Sequence, residues 1–358
     1  MTYTADVTGA VKGGAARAGK ALDNLDVILD GDLEKLLGWR GATLHAYLLN
    51  NSGGAPNDVA GTLQGIDNIE VGRPRTRLYE LWLKTGFADG KGSALTGLYD
   101  LNSEFYSTEA SGLLLAPPFG IGSEFASTGP NGPSIFPSTA LAVRVRLEGE
   151  QGRYVQAAAL NAEAGTVGDP EGPSTKFDNG AILIAEAGIG ASWRVAAGAW
   201  FYTRRQPDLR NLDINGDPAL SKAHGGYVLA EYPFVDGGET GRSVRGFARI
   251  GLSDGDTTPF NSGWQAGVLV ERVFASRPDS AFSVGMEQGR LSTKQRDNTH
   301  DQGLVPADAE SSLEITYSDK ITPRITLQPD LQVIRRAGGD RGAANVVVMA
   351  LRMTVTLF

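Results

Sequence analysis

The sequence predicts an all-β protein: a transmembrane, antiparallel, up-and-down β-barrel of sixteen strands with a long loop folded into its lumen. Three observations lead to this fold class. Apolar and polar residues alternate along most of the chain, the connections alternate between long and short, and the longest connection is unusually apolar. We expect a single domain over residues 1–358, with the inserted loop at about 107–137.

The alternation has period two, which is the signal of a strand whose two faces meet different surroundings. In TALAVRVRLEGE (139–150), the odd positions hold Leu and Val, whereas the even positions include Arg144 and Arg146. The same pattern recurs in 323–336, where Pro329 falls among the apolar positions. Because proline cannot donate to a ladder, Pro329 predicts a bulge or a missing ladder pair.

The whole chain can be divided into sixteen such strands and one short helical turn at 30–38. The predicted strands are 2–12, 17–30, 39–50, 73–87, 93–106, 138–150, 152–162, 179–189, 191–205, 223–234, 242–254, 262–275, 279–291, 309–320, 323–336 and 345–358.

The connections alternate in length from the third strand onward. The long ones are 51–72, 107–137, 163–178, 206–222, 255–261, 292–308 and 337–344, and the short ones include 88–92, Gln151, Gly190, 276–278 and 321–322. Barrels of the outer membrane have short turns on the inner side and long loops outside. An even number of strands also places both termini on the short-turn side.

A barrel in lipid gives the alternation a physical meaning. Hydrocarbon offers no hydrogen-bond partners, so a closed barrel is the only β-structure that pairs every backbone group. An arginine that faces lipid near mid-bilayer costs about 2–4 kcal/mol, so we expect Arg144 and Arg146 to face the lumen. Sixteen strands leave a lumen too wide to be filled by side chains, and hence an aqueous channel.

The loop at 107–137 carries apolar residues such as Leu113, Phe119 and Phe125, which a freely solvated loop would not. Long irregular segments in compact proteins are usually functional or disordered, and this composition indicates packing. We expect the loop to fold into the barrel and narrow the channel. The alternative is that it packs over the barrel rim or against a neighbouring subunit.

Composition excludes several classes of protein. A net charge of −8 argues against nucleic acid as a partner, and the absence of Cys excludes disulfides and thiolate metal sites. The longest charge-free run, 125–143, holds three Pro and two Gly, so it does not form a spanning helix. No secretory signal precedes Thr2. Either the protein is cytoplasmic, or a signal has been removed and Met1 was added for expression; the barrel favours the outer membrane.

Several segments, in order along nearly the whole chain, resemble the carbohydrate-selective porins of the OprB family. They are LDNLDVILDGDLEKLLGWRGATLHAY (22–47), RLYELWL (77–83), GLYDLNSEFY (97–106), FGIGSEF (119–125), NGPSIFPSTALAVRV (131–145), RGFARIGLSDGD (246–256) and ITLQPDLQVI (325–334). The resemblance implies a sixteen-stranded outer-membrane barrel through which monosaccharides and related sugars diffuse. One departure is at the C-terminus, where the outward register falls on Leu357 rather than on the terminal aromatic Phe358.

The alternation of inward and outward residues along each strand, here called parity, directs one set of side chains into the lumen. Those side chains suit the passage of sugars. Sugar hydroxyls both donate and accept hydrogen bonds, so charged groups of both signs serve them, and aromatic rings lie well against their C–H faces. We therefore predict a pathway in which Arg144 and Arg146 rank highest, because they follow the inserted loop at mid-strand. The other predicted lumenal residues are Glu80, Trp82, Lys84, Asp100, Asn102, Glu104, Trp200, Tyr202, Arg249, Glu287, Glu314 and Asp330. The alternative for each is that it is ordinary polar lining.

Metal and catalytic signals are weak. The three histidines, His45, His224 and His300, have no paired spacing, so neither a metal site nor a catalytic triad is predicted. The segment DINGD resembles the opening of a calcium loop, with Asp213, Asn215 and Asp217 as candidate ligands of a loosely bound calcium ion. The EF-hand pattern fails at its sixth and twelfth positions, which favours an outer loop with Asx turns.

The sequence thus predicts a passive, sugar-preferring porin of the bacterial outer membrane that needs no cofactor and catalyses no reaction. Its expected partners are small sugars and outer-membrane lipids, and because sixteen-stranded porins are often trimers we expect a homotrimer. Three alternatives remain open at this point. They are a general or anion-leaning porin, an outer-membrane barrel enzyme such as a lipase, and a soluble, secreted sugar-binding β-protein.

Overall fold

The computed structural model describes residues 1–165, 173–238 and 241–357. In these residues, sixteen antiparallel strands form one closed barrel, and two further strands form a separate hairpin. The barrel strands are β1 (Thr2–Lys12), β2 (Ala18–Asp32), β3 (Ala42–Gly53), β4 (Arg75–Phe87), β5 (Gly92–Tyr99), β6 (Ala140–Glu148), β7 (Tyr154–Asn161), β8 (Ala181–Ile189), β9 (Arg194–Tyr202), β12 (His224–Val235), β13 (Ser243–Ser253), β14 (Phe260–Glu271), β15 (Ala281–Leu291), β16 (Ala309–Thr322), β17 (Ile325–Arg335) and β18 (Val346–Thr356).

Helices are short. They are α1 (Leu33–Leu37), α2 (Asn57–Ala60), α3 (Ser123–Ala126) and α4 (Thr293–Asp301), with 3₁₀ turns at Ala88–Gly90, Leu101–Ser103, Pro117–Phe119, Glu150–Gly152 and Ala337–Gly339. α1 confirms the predicted helical turn, and the Asp32 side chain accepts from the backbone N–H groups of Glu34 and Lys35 at its start. No helix in the described ranges has the length and apolar character needed to cross a membrane.

The barrel closes through its first and last strands. β1 pairs with β18 from Thr2 opposite Thr356 onward, and the Leu357 N–H donates to the Met1 carbonyl at 3.0 Å. Closure removes the unpaired edges that an open sheet would present. The predicted departure at Phe358 lies outside the described residues.

The predicted parity is confirmed along the strands. On β6, Val143 and Val145 are exposed on the outer wall, whereas Arg144 is buried inside. The alternation of loop lengths is confirmed over most of the barrel. The shortest connections, such as 190–193 and 323–324, lie at the end that carries the termini, and the long ones, such as 203–223 and 292–308, lie at the other end. It is wrong around β14, where the outer connection 254–259 is shorter than the inner connection 272–280. Within the predicted outer loop 163–178, residues 166–172 are outside the described ranges.

The predicted fifth strand is wrong in its second half. β5 ends at Tyr99, and the chain then turns at Leu101–Ser103, where the Asp100 side chain accepts from the Asn102 N–H at 2.8 Å. Alternation continues through 100–106, so the pattern alone could not show that the ladder had ended. The segment between β5 and β6, residues 100–139, is here named the constriction segment, and it includes Asp100, Asn102 and Glu104.

A β-bulge interrupts β4. Tyr47 pairs with Glu80 and Leu48 pairs with Leu78, which leaves Tyr79 without a partner on β3. Tyr79 and Glu80 therefore both face the lumen, where they line the same cavity. Bulges redirect side chains in this way and are frequent near functional sites. Strict parity had predicted that Tyr79 and Glu80 would point to opposite sides of the sheet.

At Pro329 the structure shows two missing ladder pairs with β16, those of Gln328 and Pro329, rather than a bulge. Asp330 pairs with Thr316 and Leu327 with Asp319, so the register with β16 is the same on both sides of the proline. Two elements of the outer loops were not predicted. One is the hairpin of β10 (Gln206–Leu212) and β11 (Pro218–Ser221), and the other is α4, at whose start Ser292 accepts from the Gln295 N–H.

Candidate functional site

The constriction segment packs into the barrel lumen through its aromatic residues. Phe125 stacks on Trp200 with ring centres 4.8 Å apart, and Tyr106 stacks on Tyr227 at 4.1 Å. These rings belong to a buried cluster that includes side chains from β5 to β9 and β12. The predicted inserted loop is therefore confirmed, and its apolar composition is explained by burial against the barrel wall.

Carboxylates of the wall accept hydrogen bonds from the backbone of this segment. Glu186 accepts from the Tyr106 N–H at 3.1 Å and Glu231 accepts from the Ala110 N–H at 2.8 Å. On the far wall, Glu314 accepts from the N–H groups of Leu115 and Ala116. An irregular segment has no ladder to satisfy its amides, so these side chains supply the missing acceptors.

Among these carboxylates, Glu186 accepts the largest number of hydrogen bonds. Besides the Tyr106 amide, it accepts hydrogen bonds from the side chains of Tyr154 (2.7 Å), Tyr227 (2.7 Å), Arg194 (2.9 Å) and Gln156 (3.2 Å). One buried side chain of β8 thus joins the constriction segment to the two neighbouring strands, β7 and β9, and to β12.

Two arginines bind the segment from the wall. Arg249 donates to the carbonyls of Tyr106 (2.9 Å), Gly120 (2.8 Å) and Pro118 (2.7 Å). Arg144 forms a two-point ion pair with Glu104, with both N–O distances at 2.7 Å, and also donates to the Ser93 hydroxyl. Paired planar contacts of this kind are among the stronger hydrogen bonds in proteins.

A second stretch enters the lumen between β3 and β4. This side segment, residues 54–74, packs against β16 to β18. Glu310 accepts from the N–H groups of Leu63 and Gln64 at 3.0 Å, and Gln332 donates to the Ile66 carbonyl at 2.8 Å. The same arrangement of wall carboxylate and loop amide therefore occurs twice.

Between the two segments and β1 to β4 lies a cavity of about 630 Å³, here named the central cavity. This volume falls within the range of about 300–1,000 Å³ typical of small-molecule sites. Its charged, amide and phenolic side chains are Asn24, Asp26, Tyr47, Gln64, Asp67, Asn68, Glu70, Tyr79, Glu80, Asp100, Asn102 and Arg352. Carboxylates outnumber the single arginine in this lining.

Arg352 stands on one side of the central cavity. It binds Asp6 at 2.7 Å, donates to Asn68 at 2.7 Å and lies 3.5 Å from Asp67. Burial and the neighbouring Asp6 raise the pKa of Asp67, while Arg352 opposes the shift. The positive charge of Arg352 is thus already balanced by neighbouring carboxylates of the protein.

The opposite side of the cavity combines aromatic rings and carboxylates. Tyr79 donates to Asp100 at 2.6 Å, and its ring meets that of Tyr47 edge-on at 5.0 Å. Glu80 accepts from the Asp100 N–H at 3.0 Å and from the Trp82 indole N–H at 3.2 Å. Burial inside the lumen raises the pKa of Asp100 to about 7, even though the Tyr79 hydrogen bond lowers it.

A second cavity, of about 510 Å³, lies against β6 to β9 toward the inner end of the barrel and is here named the inner vestibule. Its lining residues are Ser103, Glu104, Ser107, Thr108, Glu109, Arg146, Glu148, Gly149, Gly152, Arg153, Tyr154, Gly190 and Arg194. Ser103 also lines the central cavity, so the two spaces meet at this residue of the constriction segment.

The predicted pathway residues fall into three groups. Glu80, Asp100 and Asn102 line the central cavity, and Glu104 and Arg146 line the inner vestibule. Trp82 lies on the wall beside the central cavity, stacked on His45 with ring centres 4.4 Å apart, and Lys84 sits 5.7 Å from the Trp82 ring.

The third group faces inward but is covered by the constriction segment or the packed wall. Arg144 is 1 % exposed, Arg249 and Trp200 are 2 % exposed and Asp330 is 5 % exposed. Glu287, Glu314 and Tyr202 are buried as well. Parity identifies which side chains point inward, but it does not show which of them an inserted segment will cover.

Several lining residues were not predicted, namely Asp26, Tyr47, Asp67, Tyr79 and Arg352. Arg352 stands on the polar face of the last strand, so parity could have found it. Tyr79 points toward the lumen only because of the bulge, and Asp67 lies in a loop where parity carries no information.

In the candidate calcium loop, backbone N–H groups of the loop itself donate to the Asp213 carboxylate. Asp213 accepts from the N–H groups of Asn215 at 2.8 Å and Asp217 at 3.0 Å, so the Asx turn is present. Across the described ranges, no three side chains among His, Cys, Asp and Glu gather as metal ligands. Calcium binding at Asp213, Asn215 and Asp217 stays a prediction.

Replacing Glu186 tests the wall-to-segment contacts. We expect Glu186→Gln to lower the free energy of unfolding by about 1–3 kcal/mol, because buried donors lose a charged acceptor. Cleavage by added protease near Tyr106 should increase at the same time. The control is Glu150→Gln in an exposed inner turn, which should leave both quantities unchanged. Equal behaviour of the two variants would contradict the anchoring role of Glu186.

Comparison with known proteins agrees with this geometry. The model of the family described as "Carbohydrate-selective porin, OprB family" matches residues 16–357. Porin B of Pseudomonas aeruginosa is 24% identical over 382 residues, which cover 94% of this chain and 82% of the relative.

Among solved structures, the high-pH structure of Pseudomonas putida OprB is 22% identical with a TM-score of 0.86, covering 99% of this chain and 92% of the other. An anion-selective porin from Comamonas acidovorans shares the fold at a TM-score of 0.58 and 10% identity, covering 99% of this chain and 98% of the other. The chain therefore belongs to the OprB family of carbohydrate-selective porins, which are channels of the bacterial outer membrane and not enzymes.

Proposed function

We propose that monosaccharides and related small sugars bind transiently in the central cavity as they diffuse through this porin. The supporting observation is the lining of that cavity, where phenol rings, amides and carboxylates stand within one space of about 630 Å³. A sugar can donate its hydroxyls to Glu80, Asp100 and the side-chain oxygen of Asn102, accept from Arg352, and lie against Tyr47. Such contacts are individually weak, which lets the solute leave again.

The residues that the constriction segment covers have a different role in this proposal. Arg144, Arg249 and Asp330 are buried, and both arginines bind the constriction segment, Arg144 through Glu104 and Arg249 through backbone carbonyls. Trp200 already stacks on Phe125. We therefore assign Arg144, Arg249 and Trp200 to holding the constriction in place, and the direct sugar contacts to Glu80, Asp100 and Asn102.

The charge of the central cavity bears on the alternative of an anion-leaning porin. Asp26, Asp67, Glu70, Glu80 and Asp100 line it, with Arg352 as the one arginine of the lining. A cavity lined predominantly by one sign of charge raises the local concentration of the opposite ion. We therefore propose that neutral sugars pass and that small cations are preferred over anions.

The substitution Asp100→Asn tests the assignment of sugar contacts. We expect glucose to bind more weakly by about 1 kcal/mol, or about fivefold, because a charged acceptor is replaced by a neutral one. The measurement is glucose block of conductance in planar bilayers, together with liposome swelling over a panel of sugars. The control is Asp89→Asn in an exposed inner turn. An unchanged block and an unchanged sugar ranking in Asp100→Asn would refute the assignment.

Ion selectivity should depend on pH. Because the pKa of Asp100 is raised to about 7, its carboxyl is largely protonated below that pH and ionised above it. Preference for K⁺ over Cl⁻, measured as a reversal potential in a KCl gradient, should therefore increase as the pH rises through about 7. The increase should be smaller in Asp100→Asn. A preference that falls with rising pH would contradict the acidic cavity.

A homotrimer within the lipid bilayer is the further part of this proposal. The outer wall carries a flat patch of exposed alanines on three adjacent strands, namely Ala157, Ala159, Ala185, Ala187, Ala197 and Ala199. Small side chains allow two walls to approach closely, as they do at helix interfaces in membranes. Other outward residues, such as Leu351 and Met349, are large and suit contact with lipid.

Oligomer size provides the test. Ala187→Trp places a bulky apolar group on the patch, so the trimer should dissociate toward monomer on native gels while the barrel stays folded. Leu351→Trp, on the lipid-facing side of β18, is the matched control and should leave the oligomer intact. A trimer that persists in Ala187→Trp would exclude this patch as the interface.

A further inference from the structure

We propose that the inner vestibule is a second binding position for the same sugars, separate from the central cavity and occupied on the periplasmic side of the constriction. This inference rests on the proposed function, because it takes sugars as the solute. It adds a site on another part of the barrel wall, on β6 to β9 rather than on β1 to β4.

The first step is the space itself. The inner vestibule has a volume of about 510 Å³, comparable to the 630 Å³ of the central cavity. It lies at the short-turn end, since the turns Gly149–Arg153 and Gly190 contribute to its lining. Both cavities are lined by Ser103, so they lie next to each other along the constriction segment.

The second step is the pairing of the vestibule's charges. Each lining glutamate of the constriction segment and of β6 is already paired, Glu104 with Arg144 at 2.7 Å, Glu109 with Arg245 at 2.7 Å and Glu148 with Arg146 at 2.9 Å. Arg153, in contrast, lines the space and has no ion-pair or side-chain hydrogen-bond partner within the part of the chain that the structure describes. Arg153 therefore gives this site a donor that no carboxylate of the chain occupies, while the exposed Glu109 and Glu148 each keep one carboxylate oxygen free to accept.

The third step is the rigidity of the remaining donors. The guanidinium groups of Arg146 and Arg194 lie over the Tyr154 ring, 4.3 and 5.4 Å from its centre. The Tyr154 hydroxyl and Arg194 are both held by Glu186, at 2.7 and 2.9 Å. Donors fixed in this way lose little conformational freedom when a solute binds.

The two positions are chemically complementary. The central cavity presents mostly carboxylate acceptors, to which sugar hydroxyls donate. The vestibule presents arginine donors with the hydroxyl of Ser107, to which sugar oxygens can bind as acceptors. A sugar hydroxyl has both capacities. Two weak positions in series keep the sugar in the channel while allowing it to leave, as conduction requires.

The experiment uses the whole porin in planar bilayers with glucose added to one side at a time. In the wild type, we expect two components in the sugar-induced current noise, one for each position. Arg153→Ala should shorten the residence time of the component seen with periplasmic glucose by about threefold, because one donor is lost. It should leave the other component unchanged, and Asp100→Asn should have the reverse pattern.

The matched control is Arg324→Ala, which removes an exposed arginine from another inner turn that lines neither cavity. It should behave as the wild type. A single noise component, or identical residence times in Arg153→Ala and the wild type, would overturn the second position while leaving an effect of Asp100→Asn intact. If glucose produced no block in any of these proteins, the proposed function itself would fall, and this inference with it.

Discussion

Hydrogen bonds from loop amides to carboxylates of the barrel wall are the interaction on which the channel depends. A sixteen-stranded barrel would leave an open lumen, and an irregular segment inside it has amides that no ladder satisfies. Glu186, Glu231 and Glu314 meet both needs, because each carboxylate gains donors and each amide gains an acceptor. In the packed lumen, these donors offset the cost of removing the carboxylates from water.

This constraint divides the lumenal side chains into two classes. The side chains of one class, which includes Arg144 and Arg249, bind the constriction segment and are almost fully buried. The other class remains accessible and forms two differently charged spaces, an acidic central cavity and a vestibule with spare donors. In the function proposed here, selectivity arises from the residues that anchoring leaves free, which are fewer than the residues that point inward.

The sequence was sufficient for the barrel but only partly for the site. Parity works because oil and water lie on opposite sides of every strand, so the strand number and the inward direction of Arg144 were predicted correctly. It fails where the backbone departs from a regular ladder. The bulge brings Tyr79 into the lumen beside Glu80, and the end of β5 transfers Asp100 to the constriction segment. The burial of Trp200 depends on Phe125, which is distant in the chain, so no local pattern could reveal it.

Hydrogen exchange of the constriction segment tests the central claim most directly. In the folded porin, the amides of Tyr106, Ala110, Leu115 and Ala116 donate to wall carboxylates, so peptides covering them should exchange far more slowly than peptides from the outer connection 203–223 outside its hairpin. Protection approaching that of the barrel strands is the result expected. Exchange of 105–116 as fast as that of the solvated outer connection would show that the segment is not anchored, and the account of the constriction would be wrong.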